Sequence, residues 1–191
     1  MLDKYTVLIN KQNPVSKDFY KNYEIMETSG VENDIVKIEK LTFEKYENLK
    51  KYLNKTENIE IGILNAYRDF NEQEKICKEY EKIYGIEKAY KLAAVPGTSE
   101  HHSGLAIDIT VKKDDGNFAI TNDELYSENE NFLKVHRYLS MFGFILRYPE
   151  SKTKITEYDY EPWHIRYVGE WLAKLCYNEK KVLEEYYSGK K

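Results

Sequence analysis

The sequence predicts a single α+β domain over residues 1–191, a small antiparallel sheet flanked by helices, on three observations. Ile59, Ile61 and Ile63 alternate as a half-buried strand does. Phe43, Tyr46, Leu49 and Leu53 recur at helical spacing, as do Phe132, Val135, Leu139 and Phe142. These helical stretches are interspersed with short strand runs that look covered on one face, the pattern of helices packed on an antiparallel sheet. A chain of 191 residues is long enough to bury one real core.

Taken in order, Thr6 to Ile9 reads as a short strand, and Asn13-Pro14 as a turn. Residues 17–40 carry weak signals. Thr42 is placed to cap the helix that ends at Asn54, and the strand after it delivers Tyr67 and Arg68 to a strand–loop junction. Asn71 with Glu74 has the form of a capping box for a helix running to Tyr84, where Gly85 stops it. A second helical stretch ends before Pro96-Gly97. Residues 105–111 form a strand rich in β-branched side chains, and residues 112–131 a long polar loop of the kind that is more often functional than idle. Gly143 ends the helix containing Phe132 to Phe142, a strand starts at Phe144, and Trp163, Ile165 and Tyr167 alternate as the last strand. The tail from Gly169 to Tyr187 reads as helical.

Composition excludes several classes of function. Apolar residues make up 41% and charged residues 32%, and no apolar run approaches the ~20 residues of a membrane-spanning helix. A net charge of −4, with Lys and Glu interspersed, provides no basic stripe for nucleic acid. The first ten residues show neither a basic leader nor a cleavage site, so the sequence as it stands predicts a cytoplasmic protein; loss of a leader would place it outside. Cys77 and Cys176 are far apart, lack metal-type spacing and sit in helical patterns, which predicts reduced thiols, with a disulfide as the alternative.

Two of the four histidines stand in contexts that point to chemistry. In Ser99-Glu100-His101-His102-Ser103-Gly104, a turn-prone segment puts His101 before a strand that contains Asp108, and Glu161-Pro162-Trp163-His164 puts His164 at the start of another. Two imidazoles and a carboxylate suit zinc and leave its fourth position to water. Zinc lowers the pKa of bound water from 15.7 to about 7, on the order of 12 kcal/mol at ~1.36 kcal/mol per unit. A carboxylate must still carry the proton to the leaving amine. Glu161, three residues from His164 behind a stiffening proline, is the candidate, and Arg68 is placed to stabilise the oxyanion. Taken singly, each residue has an ordinary role open to it: a satisfied histidine, a turn-capping Asp108, a solvated Glu161, an Arg68 in a surface ion pair.

The combination Ser-x-His-x-x-Gly-x-Ala-x-Asp followed by Glu-x-x-His resembles the VanY and VanXY type of D-Ala-D-Ala peptidases, whose fold is shared with lysostaphin-type peptidases and the hedgehog domain. The resemblance runs nearly the length of the chain. It includes Tyr67-Arg68 with Gln73, the block Pro96 to His101, residues 143–149 and residues 160–169. It implies Zn2+ at His101, Asp108 and His164, Glu161 as base and acid, Arg68 at the oxyanion, and Ser99 and Gln73 as substrate-binding positions. His102 falls at a non-ligand position, and His136 on an amphipathic helix reads as structural. The implied partners are the D-Ala-D-Ala dipeptide and peptidoglycan precursor pentapeptides. The length and the absence of a leader are more similar to the bifunctional VanXY form, and the 112–131 loop becomes the candidate for admitting the longer substrate. An L,D-carboxypeptidase or endolysin-like peptidoglycan peptidase would use the same triad. A non-catalytic zinc-binding module would be expected to lack Glu161 or Arg68.

Overall fold

The computed structural model describes residues 4–189. After two 3-10 turns, Lys4–Thr6 and Phe19–Asn22, strands β1 (Ile25–Ser29) and β2 (Ile35–Glu39) form an antiparallel hairpin. Helix α1 (Lys40–Glu57) follows directly, then β3 (Ile61–Asn65), α2 (Phe70–Tyr84) and α3 (Ile86–Leu92). A 3-10 turn at Glu100–Ser103 leads into β4 (Ala106–Val111). Helices α4 (Asn122–Ser127) and α5 (Asn129–His136) precede β5 (Phe144–Leu146), the one-turn α6 (Thr153–Thr156) and β6 (His164–Tyr167). Helices α7 (Glu170–Glu179) and α8 (Leu183–Ser188) close the chain. The central sheet is fully antiparallel in the order β3-β4-β6-β5, as the α+β reading expects.

Strand alternation divides this sheet into a core face and a site face. Ile107, Ile109 and Val111 of β4 and Ile165 and Tyr167 of β6 join Leu49 and Leu53 of α1 and Phe132 of α5 in the main apolar core. The other face carries Asp108, His164 and Arg166. The register sets Asp108 opposite His164 and Ala106 opposite Arg166, so two residues 56 positions apart in the chain are cross-strand neighbours, with Cβ atoms on the order of 5 Å apart. A one-residue slip of either strand would turn its own member of the pair to the core.

Several sequence expectations are corrected. Thr6 to Ile9 is not a strand, because the Tyr5 and Val7 carbonyls accept from the Arg166 guanidinium instead of from a neighbouring strand. Glu39, not Thr42, caps α1 and accepts from Thr42 N and Oγ1. The capping box of α2 is Asp69 with Glu72, two residues before the expected pair. The supposed loop 112–131 holds a short bridge, Lys112 to Phe118, and helix α4 with its own Thr121–Glu124 capping box. Left-handed Lys180 breaks the C-terminal tail into two helices. Among the described residues no helix is long and apolar enough to cross a membrane. Cys77 and Cys176 are both free and buried, and burial pushes the Cys176 thiol up to about 11.

Candidate active site

The site is assembled where the end of β3, the 3-10 turn at residues 100–103, β4 and the start of β6 meet. The chain leaving β3 offers three consecutive anchors to the histidine turn. Ala66 O pairs with Nδ1 of His101, Arg68 N donates to His101 O at 3.1 Å, and Arg68 O lies 2.8 Å from Nδ1 of His102. Because Nδ1 of His101 is occupied by a carbonyl acceptor, Nε2 is the nitrogen left to face the cleft. His102 has no such freedom: its Nε2 accepts from Gly97 N at 3.0 Å, and its ring stacks on Phe70 with centroids 4.3 Å apart. With both ring nitrogens engaged it stands apart from the candidate ligands, in line with its reading as a non-ligand. Gly104 ends the turn with φ of 72°, and a Cβ there would meet Ile25 Cδ1 at 2.8 Å and Glu39 N at 3.0 Å, so only glycine suits the position.

His164 is held by the Glu161-Pro162-Trp163 turn. His164 N donates to Glu161 O at 3.3 Å and Glu161 N to Tyr148 O at 3.2 Å. Nε2 of His136 lies 2.8 Å from Pro162 O and clamps the turn from α5. That contact is the structural role of His136.

Three side chains converge on one point. Asp108 Oδ2 is 3.2 Å from His101 Nε2, and Oδ1 is 3.1 Å from His164 Nδ1. Among the described residues, His101, Asp108 and His164 form a group whose donor atoms all lie within 4.8 Å of one another and could hold a metal ion. Glu161 Oε2 stands 3.4 Å from the same His164 nitrogen. The electrostatics suit a cation. Burial, then the Arg68 charge, lowers His101 to about 4, so its ring is neutral at pH 7. Burial works against ionised Asp108, but His101 and His164 hold its carboxyl well below the usual range. Burial likewise opposes a charged His164, yet Asp108, Glu100 and Glu161 together push it well above the usual imidazole value. Glu161 is raised, chiefly by burial.

A cleft of about 160 Å³ opens onto this point and is lined by Arg68, Gln73 and Ser99 as well as by the converging residues. Gln73 is 1% exposed; its Nε2 donates to Ala94 O at 2.7 Å, and its Oε1 has no hydrogen-bond partner among the described residues. Arg68 Nε is likewise buried and unpaired. Ser99 caps the histidine turn, its Oγ accepting from His101 N at 3.4 Å. All seven candidate residues therefore meet in one cleft.

Sequence reasoning missed the rest of the lining. Tyr148, Tyr158 and Trp163 form its aromatic walls, and Asn122 and Tyr126 reach it from α4, inside the segment expected to be loop. It also missed a charged layer under the site, in which Glu100 pairs with Arg147 and Arg166 with all three side chains fully buried. The signal available was a carboxylate inside the histidine motif and arginines on strands otherwise apolar.

A neutral histidine, an ionised aspartate and a second histidine around one point, with a carboxylate beside them and a guanidinium lining the same cleft, define a single-metal hydrolytic centre. The comparisons with known proteins agree. The sequence pattern of the VanY D-alanyl-D-alanine carboxypeptidase family matches residues 36–170, and the chain belongs to that family. The bifunctional D-Ala-D-Ala dipeptidase and carboxypeptidase VanXYC of Enterococcus gallinarum is 31% identical over 180 residues, covering 94% of this chain and 92% of that protein. The curated relatives it matches differ in length, and the chain spans from 47% to 92% of them. Among solved structures, the vancomycin-resistance D,D-pentapeptidase VanY of a VanB-type cassette, in complex with Zn(II), superposes with a TM-score of 0.79 at 28% identity, over 96% of this chain and 99% of that one. VanYB in complex with D-alanine-D-alanine gives 0.79 at 29% identity, over 99% and 100%. The LD-carboxypeptidase LdcB gives 0.77 at 31%, over 95% and 84%.

Proposed function

We propose that this chain is a zinc-dependent D,D-peptidase that hydrolyses the D-Ala-D-Ala dipeptide, removes the terminal D-Ala of peptidoglycan precursor pentapeptides, or does both. The observation that carries the reading is the convergence of His101 Nε2, Asp108 and His164 Nδ1 at the base of a cleft walled by Glu161 and Arg68. The donor set fits zinc: two imidazoles and one carboxylate form a borderline ligand set, and Asp108 Oδ1 is buried with no hydrogen-bond partner among the described residues. Bound there, zinc supplies a Lewis acid and a water acidic enough to attack at neutral pH.

The protein's own groups do the remaining work. Glu161 takes the proton of the attacking water and gives it to the leaving amine, a shuttle for which a carboxyl raised by burial is suited. Arg68, which lines the same cleft, donates to the oxygen that gains charge as the peptide carbonyl becomes tetrahedral. Gln73 and Ser99 bind the terminal residue of the substrate, the Gln73 amide oxygen receiving an N–H and the Ser99 hydroxyl reaching the carboxylate; both line the cleft, and Gln73 Oε1 has no partner among the described residues, which supports this role. Buried unpaired polar atoms are costly, and a polar substrate satisfies them.

The test is release of D-alanine from D-Ala-D-Ala and from a muramyl pentapeptide, with and without a chelator. Chelator-sensitive release from either substrate is expected; release from the pentapeptide alone narrows the activity to a carboxypeptidase. The likeness to LdcB favours an L,D-carboxypeptidase as second reading, and tetrapeptide cleavage with neither D,D substrate turned over selects it. Failure on all three leaves a zinc-binding module, a reading that the presence of both Glu161 and Arg68 in the cleft argues against.

A further inference from the structure

We propose that Glu100 is the positioning carboxylate of the metal centre: with one oxygen tied to two buried guanidinium groups, it accepts the Nε2–H of His164 with the other. It thereby holds the imidazole in the tautomer that presents Nδ1 to the metal. The inference rests on the zinc reading above and adds to it the group that orients the ligand.

Glu100 Oε1 accepts from Arg147 Nε at 2.8 Å and from Arg166 Nη1 at 2.8 Å. Oε2 is buried, has no hydrogen-bond partner among the described residues, and lies 3.7 Å from His164 Nε2. That nitrogen is also buried and without a partner. Two orphaned polar atoms thus face each other, one an acceptor by chemistry and the other able to donate. At 3.7 Å they are not yet hydrogen-bonded, and an approach of about 0.8 Å brings them to the usual N–H···O distance. Among the described residues no other group competes for Nε2. Asp108 and Glu161 both sit at Nδ1, while the rings of Tyr148 and His101 pack against the imidazole at 4.8 Å and 4.9 Å.

Charge balance for the two arginines does not account for this geometry, since Oε1 alone serves both. The carboxylate also cannot swing away. Arg147 is gripped from behind by Glu184 through bonds of 2.9 Å and 2.6 Å. Arg166 donates further to the Tyr5, Val7 and Tyr167 carbonyls. Both ends of the chain, the segment at Tyr5–Val7 and helix α8, therefore brace one carboxylate behind one metal ligand. Outer partners of this kind are worth about 10- to 100-fold in metal affinity.

Glu100→Gln is the discriminating substitution. Its amide oxygen goes to the arginines, which leaves its NH2 facing the Nε2–H, donor against donor. Zinc affinity, measured by chelator competition, is expected to fall about 10- to 100-fold. Glu184→Gln, which disturbs Arg147 without reaching His164, is expected to lose stability while keeping zinc affinity within about threefold. Equal losses of zinc affinity in the two variants would reduce Glu100 to a structural role and overturn the proposal. Should Glu100→Gln fail to fold, NMR of the zinc-loaded wild-type chain with 15N-labelled histidine decides alone. A slowly exchanging, downfield His164 Nε2–H supports the proposal, and a ring proton in rapid exchange with water refutes it. A wild-type chain that takes up no zinc overturns the metal reading itself and this role with it.

Discussion

Replacing Arg147 by methionine tests whether the charged layer under the site holds the fold together. The arginine side chain is fully buried and makes three charge-assisted hydrogen bonds, one to Glu100 and two to Glu184. Methionine matches much of its length but offers no donor. Of its two guanidinium partners Glu100 keeps Arg166, and among the described residues Glu184 keeps the Asn10 amide at 3.0 Å. Removing one partner of a buried ion pair costs about 3–5 kcal/mol, because the remaining charge is stranded. Domains of this size have roughly 5–15 kcal/mol of stability, so the variant should remain folded at 25 °C but lose a large fraction of its margin. At about 2–4 °C per kcal/mol for a chain of 150–250 residues, Tm should fall by roughly 6–20 °C. The assay is urea denaturation at fixed zinc, with the midpoint shifting at constant m-value. A loss below about 1 kcal/mol, the scale of a solvent-exposed pair, would refute the reasoning and show that water reaches the stranded carboxylates.

Glu161→Ala should abolish peptide hydrolysis while one zinc per chain is retained, checked by metal analysis beside the D-alanine assay; full activity would reassign the base. Arg68→Ala should lower kcat by roughly 10²- to 10³-fold, as loss of one oxyanion donor does, and an effect on KM alone would make Arg68 a binding group only. In the metal-free protein His101 is already neutral at pH 7, with its pKa near 4, whereas His164 is raised well above the usual value and carries a proton. Zinc must displace that proton, so binding at pH 7 should release about one proton, and affinity should fall about tenfold per unit as pH is lowered. Calorimetry in two buffers of different ionisation enthalpy reads this directly, and zero release would overturn the assignment. Tyr126 lines the cleft from α4 and donates to Tyr160 O at 2.7 Å. Tyr126→Ala should lower pentapeptide kcat/KM relative to dipeptide by roughly two- to tenfold, the worth of one aromatic contact of about 0.5–1.5 kcal/mol. An unchanged ratio would remove α4 from substrate selection.

What the sequence determined by itself was whatever depends on near neighbours. Apolar periodicity marked α1 and the segment that begins with α5, a capping pattern with Gly85 marked α2, alternation marked β3 and β6, and β-branched residues marked β4, because each signal arises within a turn of helix or a few residues of strand. The motif residues His101, Asp108, Glu161 and His164 were legible as a chemical set, since two histidines, an aspartate and a glutamate in turn-to-strand contexts fit few ordinary roles. Local competition caused the errors at the caps of α1 and α2, where several polar residues could each have capped and only backbone geometry chose Glu39 and Asp69. The β1–β2 hairpin and α4 escaped because their stability comes from packing and register more than from their own patterns. Only the tertiary structure decided how the separate pieces meet. Register across β4 and β6 sets Asp108 beside His164, and the Gly97 N–H that occupies Nε2 of His102 distinguishes it from His101, whose Nε2 faces the cleft. Glu100, Arg147 and Arg166 stand in the motif blocks of the sequence with no role assigned to them. Their burial is a long-range fact: such charges can leave water only when partners from distant segments arrive together, and that arrangement is written in the fold.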